Sequence, residues 1–234
     1  DDSAYTVQVA DDELELSSHE HSFTYSADGT TITATCNAED KETNCSLKDN
    51  NYQATLTISA DGGTYDGTTA YGATITDDNN IKGTATVSYY KANEAGTDKT
   101  GVALSGAPIN AGKYWAEITL GTDTNTATAH VVYDVAKAEP TISTVPTASA
   151  ITYGQKLESS NLTGGVANTD GEFAWKDDTI SPAVYDSQST QYDVVFTPED
   201  TDNYNKAECK AKLTVNPKEV GLSWTDIELT YNGR

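Results

Sequence analysis

The sequence predicts an all-β protein made of small domains in series, each an immunoglobulin-like sandwich, with a β-grasp-like sheet as the alternative. Three observations predict it: alternating apolar and polar runs recur, turn-forming clusters separate them, and similar strand–turn units return at a spacing near 80 residues. Period two places one face of a strand on a core and the other in water. In the clearest run Ala207, Cys209, Ala211, Leu213 and Val215 alternate with Glu208, Lys210, Lys212 and Thr214. Tyr192, Val194 and Phe196 make a partner run, and residues 197–206 between the two are dense in Pro, Asp, Asn and Thr, which turn a chain. Pro217 then ends the second strand, because proline cannot donate to a ladder.

The chain of 234 residues is comfortable for two to four small domains. Its 36 acidic residues against 14 basic ones give a net charge of -22. Binding phosphates needs clusters of Lys and Arg, so nucleic acid and anionic membrane are excluded as partners. Such a surface suits an extended extracellular protein. No run of 18 apolar residues suggests a membrane span. Met is absent, the only Arg is Arg234, and the last segment breaks off at a turn, so the chain reads as a piece of a longer protein.

Taken in order, residues 1–60 read as a small Cys-containing β module. Tyr5, Val7 and Val9 alternate, and Asp28-Gly29 between Phe23-Tyr25 and Ile32-Ala34-Cys36 predicts a hairpin of the I′ kind. Ala54, Leu56 and Ile58 form its closing strand. Residues 61–137 read as a second domain, with strands at Ala85-Val87-Tyr89, at Tyr114 to Leu120 and at Ala127 to Val135, and a turn at Asn110-Ala111-Gly112. Residues 138–216 read as a third, and residues 217–234, with strand positions Val220, Leu222 and Trp224, as the truncated start of another. Pro140 and Pro217 mark the boundaries.

Tyr65-Asp66-Gly67, Tyr153-Gly154-Gln155 and Tyr231-Asn232-Gly233 stand at the entries of these units, 88 and 78 residues apart. They resemble the YDG and YGX motifs of the MBG-type repeat domains of bacterial surface proteins. Residues 196–204, FTPEDTDNY, are similar to a loop of those repeats, with Pro198, Asp200, Asn203 and Tyr204 as its structural residues, and Ala111-Gly112-Lys113-Tyr114 to their A-G-x-Y turn. The second unit departs from the pattern in lacking the FTPEDTDNY-type loop. The resemblance covers residues 61–234 better than 1–60, and implies a stalk or adhesin at the bacterial cell surface or in secretion, with attachment or spacing as its role. Adjacent repeats of the parent protein would be its neighbours, and a host or environmental glycan or protein its partner.

Several side chains invite sharper readings. Cys36 and Cys45 flank a polar loop, and in a secreted chain a disulfide there would stabilise by about 2.5–3 kcal/mol on the loop-entropy model. Reduced thiols, or half of a zinc site completed by His19 and His21, are the alternatives. Tyr90, Trp115 and Trp175 are expected opposite or beside the core faces, where they would stack sugars, meet a neighbouring domain or cover a second core face. Cys209 reads as a buried, inert thiol and His130 as a surface histidine. Asp77-Asp78, Asp177-Asp178 and Glu199-Asp200-Asp202 read as turn caps, with structural calcium as the sharper alternative. Lys176 and Lys206 are candidate donors for a Lys–Asn cross-link. No nucleophile elbow accompanies the histidines, so no enzyme and no cofactor are expected.

Overall fold

A computed structural model describes residues 21–39, 41–77, 85–184, 190–223 and 231–233. Among these the structure is almost wholly β, and the chain divides into two compact units, Asp1–Ala138 and Glu139–Arg234. No helix of the described residues is long and apolar enough to cross a membrane. Those present are one four-residue helix, α1 (Lys41–Asn44), and two 3₁₀ turns, which offers no sheet-crossing helix for a β-grasp.

The first unit is a two-layer sandwich. Its smaller sheet holds β1 (Phe23–Asp28), β2 (Thr31–Cys36), β3 (Gln53–Ser59) and β5 (Thr74–Asp77), in the order β1-β2-β3-β5. The larger sheet orders β4 (Gly63–Thr64), β9 (Asn125–Ala136), β8 (Gly112–Thr122), β6 (Ser88–Ala92) and β7 (Lys99–Thr100). Ile32, Leu56 and Ile58 from the first sheet share one core with Tyr114, Ala116, Ile118, Ala129, Tyr133 and Val135 from the second.

That core crosses the boundary expected near residue 60. β3 pairs with β5 from Ser59↔Thr74 to Leu56↔Asp77, joining the two expected modules into one sheet. The reason is a matter of layers: a small sheet with one apolar face must bury that face on a second layer, and residues 1–60 carry no such layer among the described ones. The β1–β2 hairpin also differs from expectation. Asp28 still pairs with Thr31, so Gly29 and Thr30 form the loop, and only Gly29 takes a positive φ, 55°. That fits a II′ turn with glycine first. The edge strand β1 is clipped by Asn125, whose side-chain amide donates to the Phe23 carbonyl at 2.7 Å and whose oxygen accepts from the Tyr25 N–H at 3.1 Å.

The second unit is assembled from shorter pairs. β10 (Ile142–Thr144) pairs with β14 (Val166–Ala167), β11 (Thr147–Ala148) with β13 (Leu162–Thr163), and β12 (Ile151–Thr152) with β18 (Val215–Asn216). A three-stranded sheet holds β15 (Gly171–Trp175), β16 (Gln191–Pro198) and β17 (Ala207–Lys212). Tyr192, Val194 and Phe196 are buried on β16, and Ile151, Leu157, Tyr192, Leu213 and Val215 form the core. The long alternating run is split: residues 207–212 pair antiparallel with β16, and Val215 and Asn216 then pair parallel with β12. The alternation survives because the chain changes partner without changing which face is inward.

Both units close in the same way. β4 lies parallel to the end of β9, with Gly63↔Val135 and Thr64↔Ala136, and β12 lies parallel to β18, with Ile151↔Val215 and Thr152↔Asn216. The tyrosine that follows the entry strand adds one more bond in each: Tyr65 N–H to the Ala136 carbonyl at 2.9 Å, and Tyr153 N–H to the Asn216 carbonyl at 2.8 Å. The Tyr-Asp-Gly and Tyr-Gly-Gln segments are thus the turns leaving a parallel seam.

Candidate functional site

The outward face of the larger sheet carries a group of polar and aromatic side chains. Cross-strand register places Tyr90 beside Trp115 and Val132, and Ser88 beside Glu117 and His130. Trp115 and His130 stack with ring centroids 3.6 Å apart and planes 8° from parallel. Glu117, 9% exposed, accepts from Trp115 Nε1 at 2.9 Å and from Lys99 Nζ at 2.5 Å. The Lys99 ammonium also sits 4.4 Å from the centroid of the Tyr90 ring. The cluster is therefore closed on itself: its acid is bonded twice and one tryptophan face is covered. His130, expected as a solvated surface residue, is half-buried in this stack.

Trp175 lies elsewhere. It belongs to the second unit, packs against the core there, donates from Nε1 to the Ser160 carbonyl at 3.1 Å and meets Tyr192 edge-on at 6.4 Å. Phe173 and Trp175 alternate with Glu172 and Ala174 along β15, so parity turns the tryptophan inward. Tyr90 and Trp115 belong to the first unit and Trp175 to the second.

The loop after β16 is built by its own side chains. Asp200 accepts from the Asn203 backbone N–H at 3.1 Å and from Asn203 Nδ2 at 2.8 Å, and Asn203 is buried. Tyr204 N–H donates to the Asp200 carbonyl at 3.1 Å, and Pro198 is buried at the strand end. The turn at Asp66 follows similar logic. Asp66 accepts from the hydroxyl and N–H of Thr69 and from Thr68, which hold its carboxyl down at about 2, below the usual 3.8. Asp177 is lowered in the same sense by Thr179. These acids cap turns. Asp77 ends β5, while Asp78 lies outside the described residues, as do His19, Tyr5, Val7, Val9, Trp224 and Arg234. Lys176 is paired with Glu208 at 2.7 Å, and Lys206 is exposed. Cys209 is half-buried, and burial pushes its thiol up.

Cys36 and Cys45, expected as a disulfide with reduced thiols or a zinc site as the alternatives, are not bonded to each other in the structure, and each is almost wholly buried. His21 joins them, its Nδ1 lying 3.4 Å from Cys36 Sγ and 3.7 Å from Cys45 Sγ. A cleft of about 480 Å³ opens between the turn at Tyr65 and Gly67 and the loop from Leu104 to Asn110, with Lys91 and Tyr114 at its wall. There Lys91 Nζ donates to the Tyr114 hydroxyl at 2.9 Å, which itself donates to the Asn110 carbonyl at 2.7 Å.

No family model matches the chain, and no curated protein sequence does. Among solved structures, the N-terminal four Ig domains of Dscam1 isoform 9.44 are similar at 11% identity and a TM-score of 0.34, over 85% of this chain and 74% of that one. Isoform 6.44 gives 12% and 0.32, over 83% and 65%. The titin domains z1z2 in complex with telethonin give 16% and 0.20, over 71% and 98%. Scores of this size carry no assignment; the all-β character rests on the strands themselves.

Proposed function

We propose that this chain is a stalk segment of a bacterial cell-surface or secreted protein, built from repeats of the MBG/YDG kind, that spaces and presents binding surfaces rather than performing catalysis. The observation that supports the reading is the recurrence of one parallel seam in both units. In each unit the seam joins the last strand to the strand just before the Tyr turn, so once the strands that precede it have yielded, a pull on the chain's ends loads it in shear. Its bonds then share the load instead of opening one at a time. A repeated shear-loaded closure is what a load-bearing spacer needs, and the acidic surface keeps such a spacer soluble.

Pulling single molecules of the whole chain tests the reading. Two unfolding events above the noise are expected, one per unit, and substitution of Tyr153 by Pro, which removes the N–H donated to Asn216, lowers the force of one event only. Unfolding of both units without a resolvable force peak would overturn it. A second reading, glycan binding, is favoured by the Trp115–His130–Tyr90 face. It predicts binding on a glycan array that Trp115→Ala abolishes; the stalk reading predicts no such binding.

A further inference from the structure

We propose that His21, Cys36 and Cys45 form a zinc site that staples the start of β1 to the loop between β2 and β3. Their three ligand atoms all lie within 4.8 Å of one another. A tetrahedral zinc ion with metal–sulfur bonds of about 2.3 Å and metal–nitrogen bonds of about 2.0–2.1 Å sets its sulfur and nitrogen ligands about 3.5 Å apart. The observed separations from His21 Nδ1, 3.4 and 3.7 Å, bracket that value. The two sulfurs, within 4.8 Å of each other, would close toward the roughly 3.8 Å of a tetrahedral site as the ion enters.

The sequence builds this corner locally. Cys36 is the last residue of β2, and Cys45 follows α1 directly, its N–H donating to the Lys41 carbonyl at 3.2 Å. The Leu47 N–H donates to Cys45 Sγ at 3.4 Å, a bond that orients the sulfur. His21 is fixed from two sides: Asn37 N–H donates to the Ser22 carbonyl at 2.7 Å, and the imidazole stacks on Phe23 at 5.0 Å with planes 16° apart. The thiols are buried while His21 is exposed, so the ion would sit at the rim of the Cys36, Cys45, Leu47 and Ala54 cluster. Two thiolates and one imidazole select a thiophilic ion over calcium or magnesium, which take oxygen ligands.

The test uses the full chain, reduced, freed of metal and titrated with zinc chloride. One zinc per chain is expected, retained against a large excess of magnesium and raising the melting temperature of the first unit. Cobalt(II) in its place should show thiolate charge-transfer and four-coordinate d–d absorption. Cys36→Ser and Cys45→Ser should each weaken zinc binding by more than about 100-fold, His21→Ala by a smaller factor, and Cys209→Ser by none. Should the cysteine variants fail to fold, cadmium NMR of the unmodified chain reads the ligands directly, and two sulfurs with one nitrogen are expected. Zinc displaced by magnesium, a cadmium signal from oxygen ligands alone, or a Cys36–Cys45 disulfide in chain produced with zinc present overturns the site.

Discussion

Tyr133 shows how one side chain ties pH to stability. It is 5% exposed, and its hydroxyl donates to the Tyr71 carbonyl at 2.8 Å, while the Tyr71 hydroxyl donates in turn to the Thr64 carbonyl of β4. Burial, with smaller contributions from Tyr89 and Tyr114, pushes the Tyr133 phenol above its ordinary value of 10.0. A folded-state value raised above the unfolded one means that stability is intact below about 10 and is lost as pH rises beyond it. Tyr133→Phe removes the ionisable group together with its hydrogen bond. At neutral pH it should cost about 1 kcal/mol, yet it should flatten the decline above pH 10 seen in urea unfolding followed across pH. An alkaline decline of unchanged steepness in the variant would show that Tyr133 does not control it.

At the scale of strands, the closing seam depends on a glycine that only its neighbours explain. Gly62 has φ +65°, and a Cβ there would lie 2.1 Å from the Asp134 carbonyl oxygen on β9. Gly62→Ala meets both a left-handed backbone and a backbone atom that cannot retreat, so a loss of about 2–4 kcal/mol in the first unit is expected from chemical unfolding. A loss below about 0.5 kcal/mol would mean that β4 can detach without consequence. The sequence around Gly62 does not show the close approach, because its neighbour Asp134 is distant along the chain. The same contrast holds elsewhere. Strands such as β3, β8, β9 and β16 were legible because several alternating residues declare a face. Pairs of two or three residues, such as β11 with β13, have no period to read. Trp175 stays open in the sequence between a sugar platform and a core-covering ring although its alternation with Glu172 and Ala174 is present, because the face of a short strand acquires meaning only once its partner is known. His21, Cys36 and Cys45 could be named as ligand types from sequence, whereas their convergence needed the fold.

For the molecule as a whole, the decisive matter is where cooperativity begins and ends. Residues 1–60 resemble a module in sequence because a hairpin and a third strand lie close together there. Their inward residues Ile32, Leu56 and Ile58 nevertheless pack into the core that holds Ile118 and Ala129. Ile32 is wholly buried, so Ile32→Ala leaves a cavity and should cost about 2–5 kcal/mol. The distribution of that cost separates the alternatives. With a core of its own in residues 1–60, only amides of β1, β2 and β3 would exchange faster with solvent. With a shared core, amides of β8 and β9 lose protection by a similar factor, because global opening of the sandwich exposes both sheets together. Amides of β16 and β17 should be unchanged, since they belong to the unit that begins at Glu139 and has a separate core. Hydrogen exchange read by mass spectrometry over these five strands decides it. Faster exchange in β8 and β9 but not in β16 means two cooperative blocks rather than three, so a pulling force meets two barriers, each closed by its own parallel seam.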